Sequence, residues 1–216
     1  ATANVNSDGT VSLTIGSADI GGTRPASAQQ FAEVLGIPAE AVNPQVGDTD
    51  SIGYTSMTGG SGAAFKTGWA SYAAGQDVKQ QLIERASVLW DKSADEIDMT
   101  DGVIRHASDP ELKITFKELA EQLHDLGGPV VGRANLNPGG AGSAFATNIV
   151  DLEVDPETGK VTILRYTAIQ DVGKAIHPSY VEGQMQGGAV QGIGWALNEE
   201  YYMSDEGAMQ NTSLLD

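Results

Sequence analysis

The chain contains no cysteine. That removes disulfides, a thiolate nucleophile and thiolate-held zinc or iron–sulfur centres from the chemistry it can perform. Positive charge is scarce: 12 Lys and Arg stand against 29 Asp and Glu, for a net charge of −17. Such a surface repels phosphate backbones and anionic lipid, so neither nucleic acid nor a membrane is an expected partner. No apolar run approaches the ~20 residues that span a bilayer, and the N-terminus has no basic-then-apolar leader, so the expected location is cytoplasmic. The histidines, His106, His124 and His177, share no HxH or HxxxH spacing, and no protein-held metal site is expected. There is neither a GxGxxG string nor a Walker lysine.

What is plentiful is glycine, 27 residues in all, on a background 40% hydrophobic. The stretch from Val181 to Glu200 has helical periodicity yet contains glycines at 183, 187, 188, 192 and 194. At ~1 kcal/mol each relative to alanine, these weaken a helix by roughly 5 kcal/mol, which packing or a ligand must offset. Met185, Ala189, Ile193 and Leu197 form an apolar stripe, and Gln184, Gly187, Gly188 and Gln191 share the neighbouring face. Two readings of that face stand: close helix packing beside solvated glutamines, or a ligand wall with Gln184 as its hydrogen-bonding group.

In chain order, residues 3–16 form a hairpin around the turn Ser7–Gly9 and deliver the chain into GSADIGGT, followed by a helix over Pro25–Leu35 that stops at Gly36. A strand, a glycine loop and a helix N-terminus can bind an anion through free backbone N–H groups, and a plain tight turn is the competing reading. A short strand near Gln45–Gly47 leads into a second glycine-rich helix start. There Thr58 or Ser61 is placed to cap a helix running to about Trp90, with a break expected at Gly75. Residues 97–106 read as a hairpin turning at Asp101–Gly102, and Thr115 with Glu118 as a capping box for a helix over 116–126. Asn135–Ser143 reads as a loop. A hairpin follows, with Val150, Leu152 and Val154 on one face and return-strand residues Val161 and Ile163 beginning after a turn at 156–159. It feeds the glycine helix, repeating the order of hairpin, glycine turn and helix seen at the start. Asp19, Asp48, Asp50 and Asp171 flank the glycine turns, where aspartate commonly serves as a turn or cap residue, and Ser61 lacks a histidine to activate it.

Five strings are similar to one family: NVNSDGTVSLTIGSADIGG, FAEVLGIPAEAV, GDTDSIGYTSMTGGSGAAF, DLEVDPETGKVTILRYTAIQDVGKAIHP and EGQMQGGAVQGIGWALNEEYY. Together they resemble the molybdopterin-binding large subunit of the xanthine dehydrogenase and aldehyde oxidase hydroxylases. The resemblance implies an α+β molybdenum-cofactor-binding domain of β-hairpins packed with long helices, spanning 1–216 of a larger subunit truncated at both ends. It implies that Ile20, Gly21 and Gly22 match the loop beside the metal, that Gly60, Ser61, Gly62, Ala63 and Ala64 contact the pterin, and that Gln184 is the pterin-contacting glutamine. The pterin dithiolene holds molybdenum in this family, so no protein ligand to the metal is implied.

The implied cofactor is molybdenum–molybdopterin, in the cytosine dinucleotide form of bacterial members. The implied reaction puts oxygen from water onto an electron-poor carbon of an aldehyde, purine or N-heterocycle. Electrons then leave through iron–sulfur and FAD centres on other domains or subunits. The implied partners are a small-molecule substrate, the remaining parts of the large subunit, and those electron carriers. Two departures stand out. Gly22 occupies the place where many members have glutamine, and the family's glutamate base follows the region matching Asn211–Asp216. No catalytic residue is therefore expected within the chain. Competing readings are a noncatalytic binding or assembly module of the same fold, and an ordinary nucleotide-binding enzyme.

Overall fold

The computed structural model describes residues 1–52, 55, 57–139, 143–175 and 177–213. Gly53, Tyr54 and Ser56 of the second glycine loop, Gly140–Gly142 of the expected 135–143 loop, Ile176 and the last three residues lie outside the described residues. The chain divides into two units, 1–141 and 142–216.

The first unit is built on a four-stranded mixed sheet, in the order Val42–Val46, Val11–Ile15, Thr2–Val5 and Val131–Arg133. Strands β1 (Thr2–Val5) and β2 (Val11–Ile15) form the expected hairpin, in register Val5↔Val11 and Ala3↔Leu13. Asp8 fixes the turn, its carboxylate accepting from the N–H of Thr10 at 2.9 Å and from its hydroxyl at 2.7 Å. Alternation in VSLTI puts Val11, Leu13 and Ile15 on one face, where all three are buried. Helix α1 (Thr23–Leu35) then crosses over to β3 (Val42–Val46), which runs parallel to β2. This strand starts before the expected Gln45 because Val42 pairs with Val11 and is itself buried.

After the one-turn helix α2 (Thr49–Ile52), helix α3 runs unbroken from Ala63 to Trp90. The break expected at Gly75 does not occur. A Cβ there would lie 3.0 Å from the Val34 side chain, so this glycine lets α1 and α3 approach closely. The sheet and these helices share one core, with Phe31 and Leu35 from α1, and Val78 and Leu82 from α3, all fully buried.

A three-stranded meander of β4 (Ile97–Thr100), β5 (Val103–His106) and β6 (Lys113–Thr115) continues from α3. Its first turn has φ of 51° at Asp101 and 70° at Gly102, the double positive φ of a type I′ hairpin. Gly102 donates its N–H to the Leu35 carbonyl at 2.9 Å, tying this turn to the end of α1. The Thr115–Glu118 capping box forms as the sequence predicts, but α4 spans only Phe116–Ala120. Beyond it, turns replace the helix expected to 126. They bring Leu123 into the core and leave Gly127 and Gly128 at positive φ. Strand β7 (Val131–Arg133) closes the sheet against β1.

In the second unit, β8 (Ala146–Val154) and β9 (Val161–Gln170) form an antiparallel hairpin with an irregularity at Asp151/Leu152. Asp155 closes its turn by accepting from the Glu157 N–H and the Thr158 hydroxyl. Helix α5 covers Pro178–Leu197, starting and ending three residues before the expected 181–200, with Pro178 in its first turn. None of the described residues from 143 to 213 is buried. Val150, Leu152 and Val154, which alternate with Asp151 and Glu153 as the sequence predicts, are between 39% and 54% exposed.

Candidate cofactor site

Two helix starts in the first unit follow glycine loops, and they differ in how their backbone N–H groups are satisfied. At α1, the Asp19 carboxylate accepts from the N–H of Gly22 at 3.1 Å and of Thr23 at 2.9 Å, and its second oxygen accepts from Arg24 Nε at 2.6 Å. The Arg24 contact, reinforced by these N–H groups, holds the Asp19 carboxyl below its ordinary pKa. The anion that this helix start favours is thus supplied by the chain itself. The plain-turn reading of Ile20–Gly22 therefore accounts for its hydrogen bonding, and the same capping starts α1 at Thr23, earlier than expected.

At α3 the start is open. Gly62 caps the helix with no side-chain hydrogen bond, so neither Thr58 nor Ser61 caps it as the sequence suggested. The first intrahelical bond runs from the Lys66 N–H to the Gly62 carbonyl at 2.9 Å. The N–H groups of Ala63, Ala64 and Phe65 therefore remain available to an outside acceptor. Ser61 adopts φ +56°, a left-handed conformation that non-glycine residues seldom take, directly after Gly60 at φ +64°.

This start opens onto a cavity of about 290 Å³, whose lining includes Ser17, Thr55, Thr58, Gly62, Ala63 and Lys66. Thr55 donates its hydroxyl to the Gly16 carbonyl at 3.1 Å, and the Ser17 and Thr58 hydroxyls lie 3.4 Å apart. These contacts hold Thr55 and Thr58 against the end of β2. Of the expected cofactor-binding residues, Gly62 and Ala63 line the cavity. Gly60 and Ser61 form the turn just before it and Ala64 the next helical residue, while Ile20, Gly21 and Gly22 lie outside the lining. Lys66, Ser17 and Thr55 were not picked out from sequence. The only signal for Lys66 was its spacing, one helical turn after the glycines.

Gln184 lies exposed on α5 in the second unit. Cβ atoms built at Gly183, Gly187, Gly188 and Gly192 meet nothing within 4 Å, so the bare face found in the sequence is open in the fold.

Backbone N–H groups, hydroxyls and one lysine in a cavity of this size form a donor set for an anionic, oxygen-rich organic group. Among the described residues no cluster of three or more His, Cys, Asp or Glu could hold a metal ion directly. A family model described as molybdopterin cofactor-binding domain matches residues 1–216. The chain belongs to that family. This molybdopterin-binding domain is 31% identical to the nicotine 6-hydroxylase large subunit of Paenarthrobacter nicotinovorans, over all of the chain and 28% of the relative. It is also 31% identical to the putative xanthine dehydrogenase molybdenum-binding subunit of Escherichia coli K12, over 98% of the chain and 29% of the relative. Among solved structures, the domain matches the Cu,Mo-CO dehydrogenase with TM-score 0.79 and 25% identity, covering all of the chain and 28% of that chain. Quinoline 2-oxidoreductase from Pseudomonas putida 86 matches with TM-score 0.72 and 26% identity, again over all of the chain and 28% of that chain. The expected α+β fold is therefore that of the molybdenum hydroxylases, and the domain spans somewhat over a quarter of the length of these relatives.

Proposed function

We propose that this domain is the cofactor-holding part of a larger subunit in a molybdenum-dependent oxidoreductase that hydroxylates an aldehyde, purine or N-heterocycle with oxygen from water. When bound, the cofactor supplies the two-electron redox chemistry. The chain's own residues bind and orient it. The N–H groups of Ala63, Ala64 and Phe65, the Thr58 hydroxyl and the Lys66 ammonium hold anionic oxygens, while Gly60 and Ser61 shape the turn that exposes them. Ile20, Gly21 and Gly22 form a short loop pinned by Asp19 beside the bound group. In the second unit, taken by itself, the open Gly187–Gly188 face of α5 leaves room for a flat ring such as a pterin, and the exposed Gln184 offers an amide to a polar edge. The same proposal includes the cytosine dinucleotide form of the cofactor, iron–sulfur and FAD centres on partner domains or subunits, and a cytoplasmic setting. Among the described residues no helix is long and apolar enough to cross a membrane.

The observation that carries the proposal is the uncapped α3 start on a hydroxyl- and lysine-lined cavity. The test is Ala63→Asp in the complete protein, produced in cells that make the cofactor. A carboxylate in the first turn suits the helix but repels an anionic ligand. The expected result is unchanged thermal melting with molybdenum and pterin per chain reduced at least tenfold. Full metal loading in this variant would refute the assignment.

A further inference from the structure

His106 ends β5 on the buried face of the meander, opposite Ile97 in the register, and is only 9% exposed. Its ring has two different neighbours. On one side, Nδ1 accepts from the backbone N–H of Ser108 at 3.2 Å and of Asp109 at 3.1 Å. A ring nitrogen that accepts carries no proton, so this hydrogen bonding assigns the neutral ring's proton to Nε2. On the other side, buried Nε2 has no hydrogen-bond partner among the described residues, although Glu96 Oε2 lies 3.5 Å away.

A second proton on the ring must go to Nδ1, and it changes both sides together. The Ser108 and Asp109 N–H groups lose their acceptor and face a donor instead, while Nε2 acquires charge beside the Glu96 carboxylate. The 107–112 loop can give way without unpairing the strands. Its ends are tied by backbone bonds, from the Ala107 N–H to the Glu96 carbonyl at 2.7 Å and from the His106 N–H to the Leu112 carbonyl at 3.0 Å. Ser108 is already exposed, so water can take up the N–H that the ring releases.

The surrounding charges agree with this. Asp98, Arg105 and Lys113 share one row of the register, which alternation places on the face opposite His106. On α3, Lys79 pairs with Asp98 at 3.4 Å and Arg85 donates to the Leu126 carbonyl at 2.7 Å. The segments 94–97 and 107–112 carry no cation. Besides Glu96 they contain Asp95, Asp109 and Glu111, and the Asp109 carboxylate accepts from the Glu111 N–H at 3.1 Å.

We propose that His106 is a pH-sensitive clasp: the neutral ring closes the 107–112 loop, and the imidazolium pairs with Glu96 and releases it. Histidine is the side chain suited to such a change near neutral pH. The clasp is independent of the cofactor assignment, since every group in it belongs to the meander and its connections.

The test is NMR of the full 216-residue chain from about pH 8 to 5. Long-range proton–nitrogen correlations should show the Nε2–H tautomer of His106 at the upper end. As the ring gains charge, the Ser108 and Asp109 amides should lose about tenfold of their protection from solvent exchange, after correction for intrinsic rates, while Ile97 and Ile104 keep theirs. Ring and amide transitions should share one midpoint. His106→Gln, which stays neutral, should abolish the transition, and Glu96→Gln should move it to lower pH because the imidazolium loses its carboxylate. The proposal is overturned by an Nδ1–H tautomer at the upper end, by a ring that stays neutral throughout, or by amides that stay protected once it is charged. The same acid transition in His106→Gln, or an unmoved midpoint in Glu96→Gln, would overturn it equally.

Discussion

Substituting Gly188 should have opposite consequences in the chain alone and in the complete protein. Helix α5 contains Gly183, Gly187, Gly188 and Gly192, each with open space where a Cβ would be. Gly188→Ala in the 216-residue chain therefore meets no steric resistance, and the helix gains the ~1 kcal/mol by which alanine exceeds glycine in a helix interior. Amides that exchange through opening of α5 should be protected about fivefold more. Hydrogen exchange read by mass spectrometry over 178–197 measures this directly. In the complete protein, Gly188→Leu places a branched side chain on the face assigned to the cofactor, so molybdenum content should fall while thermal melting changes little. Normal molybdenum with a lowered melting temperature would mean that polypeptide covers this face, and the ligand-wall reasoning would fail.

Asp19→Asn should lower the melting temperature at pH 7, because a neutral amide is a poorer partner for Arg24 and the α1 N–H groups. The Asp19 carboxyl is held below its ordinary value of 3.8, so its contribution is present above that pH and lost as pH falls further. Melting curves of the two proteins should therefore converge on acidification, and a constant gap would count against the cap. Gly36→Ala should cost about 2–5 kcal/mol in urea unfolding, since Gly36 sits at φ +66° and a Cβ there would collide with the Asp101 backbone; a loss under 1 kcal/mol would contradict the packing of that turn. Limited proteolysis of the chain should leave a resistant product containing residues 1–133 and digest 143–213, where no described residue is buried. Equal resistance of both units would show that the second is better protected than its burial indicates.

Local chemistry made much of this fold legible. Aspartate and glycine in the turns at Asp8–Gly9 and Asp101–Gly102 marked two hairpins, and Thr115 with Glu118 marked a helix start. Errors arose where a distant residue decided the outcome. Gly75 looks like a helix breaker until Val34 occupies the space beside it, and VGR at 131–133 becomes a strand only because β1 offers an edge. At the site, the glycines indicated which backbone was accessible. They did not indicate that Asp19 fills one helix start while the other stays open, because that depends on where a carboxylate folds back. The Ser17 hydroxyl meets that of Thr58, and the Thr55 hydroxyl meets the Gly16 carbonyl, only in the tertiary fold.

The pairing of β1 with β7, Thr2 with Arg133 and Asn4 with Val131, also sets a clock. The two strands are separated by about 130 residues, which a ribosome synthesises in roughly 7–26 s at typical rates. For that interval the outer edge of β1 has no strand beside it, although β2 and α1 can already have formed. An open edge of this kind recruits other chains. The strand is four residues long and has Asn4 in its centre, features that shorten and weaken the template it presents to neighbouring nascent chains. Slower translation through residues 36–130 should therefore lower the soluble yield more than a delay of equal duration after Arg133.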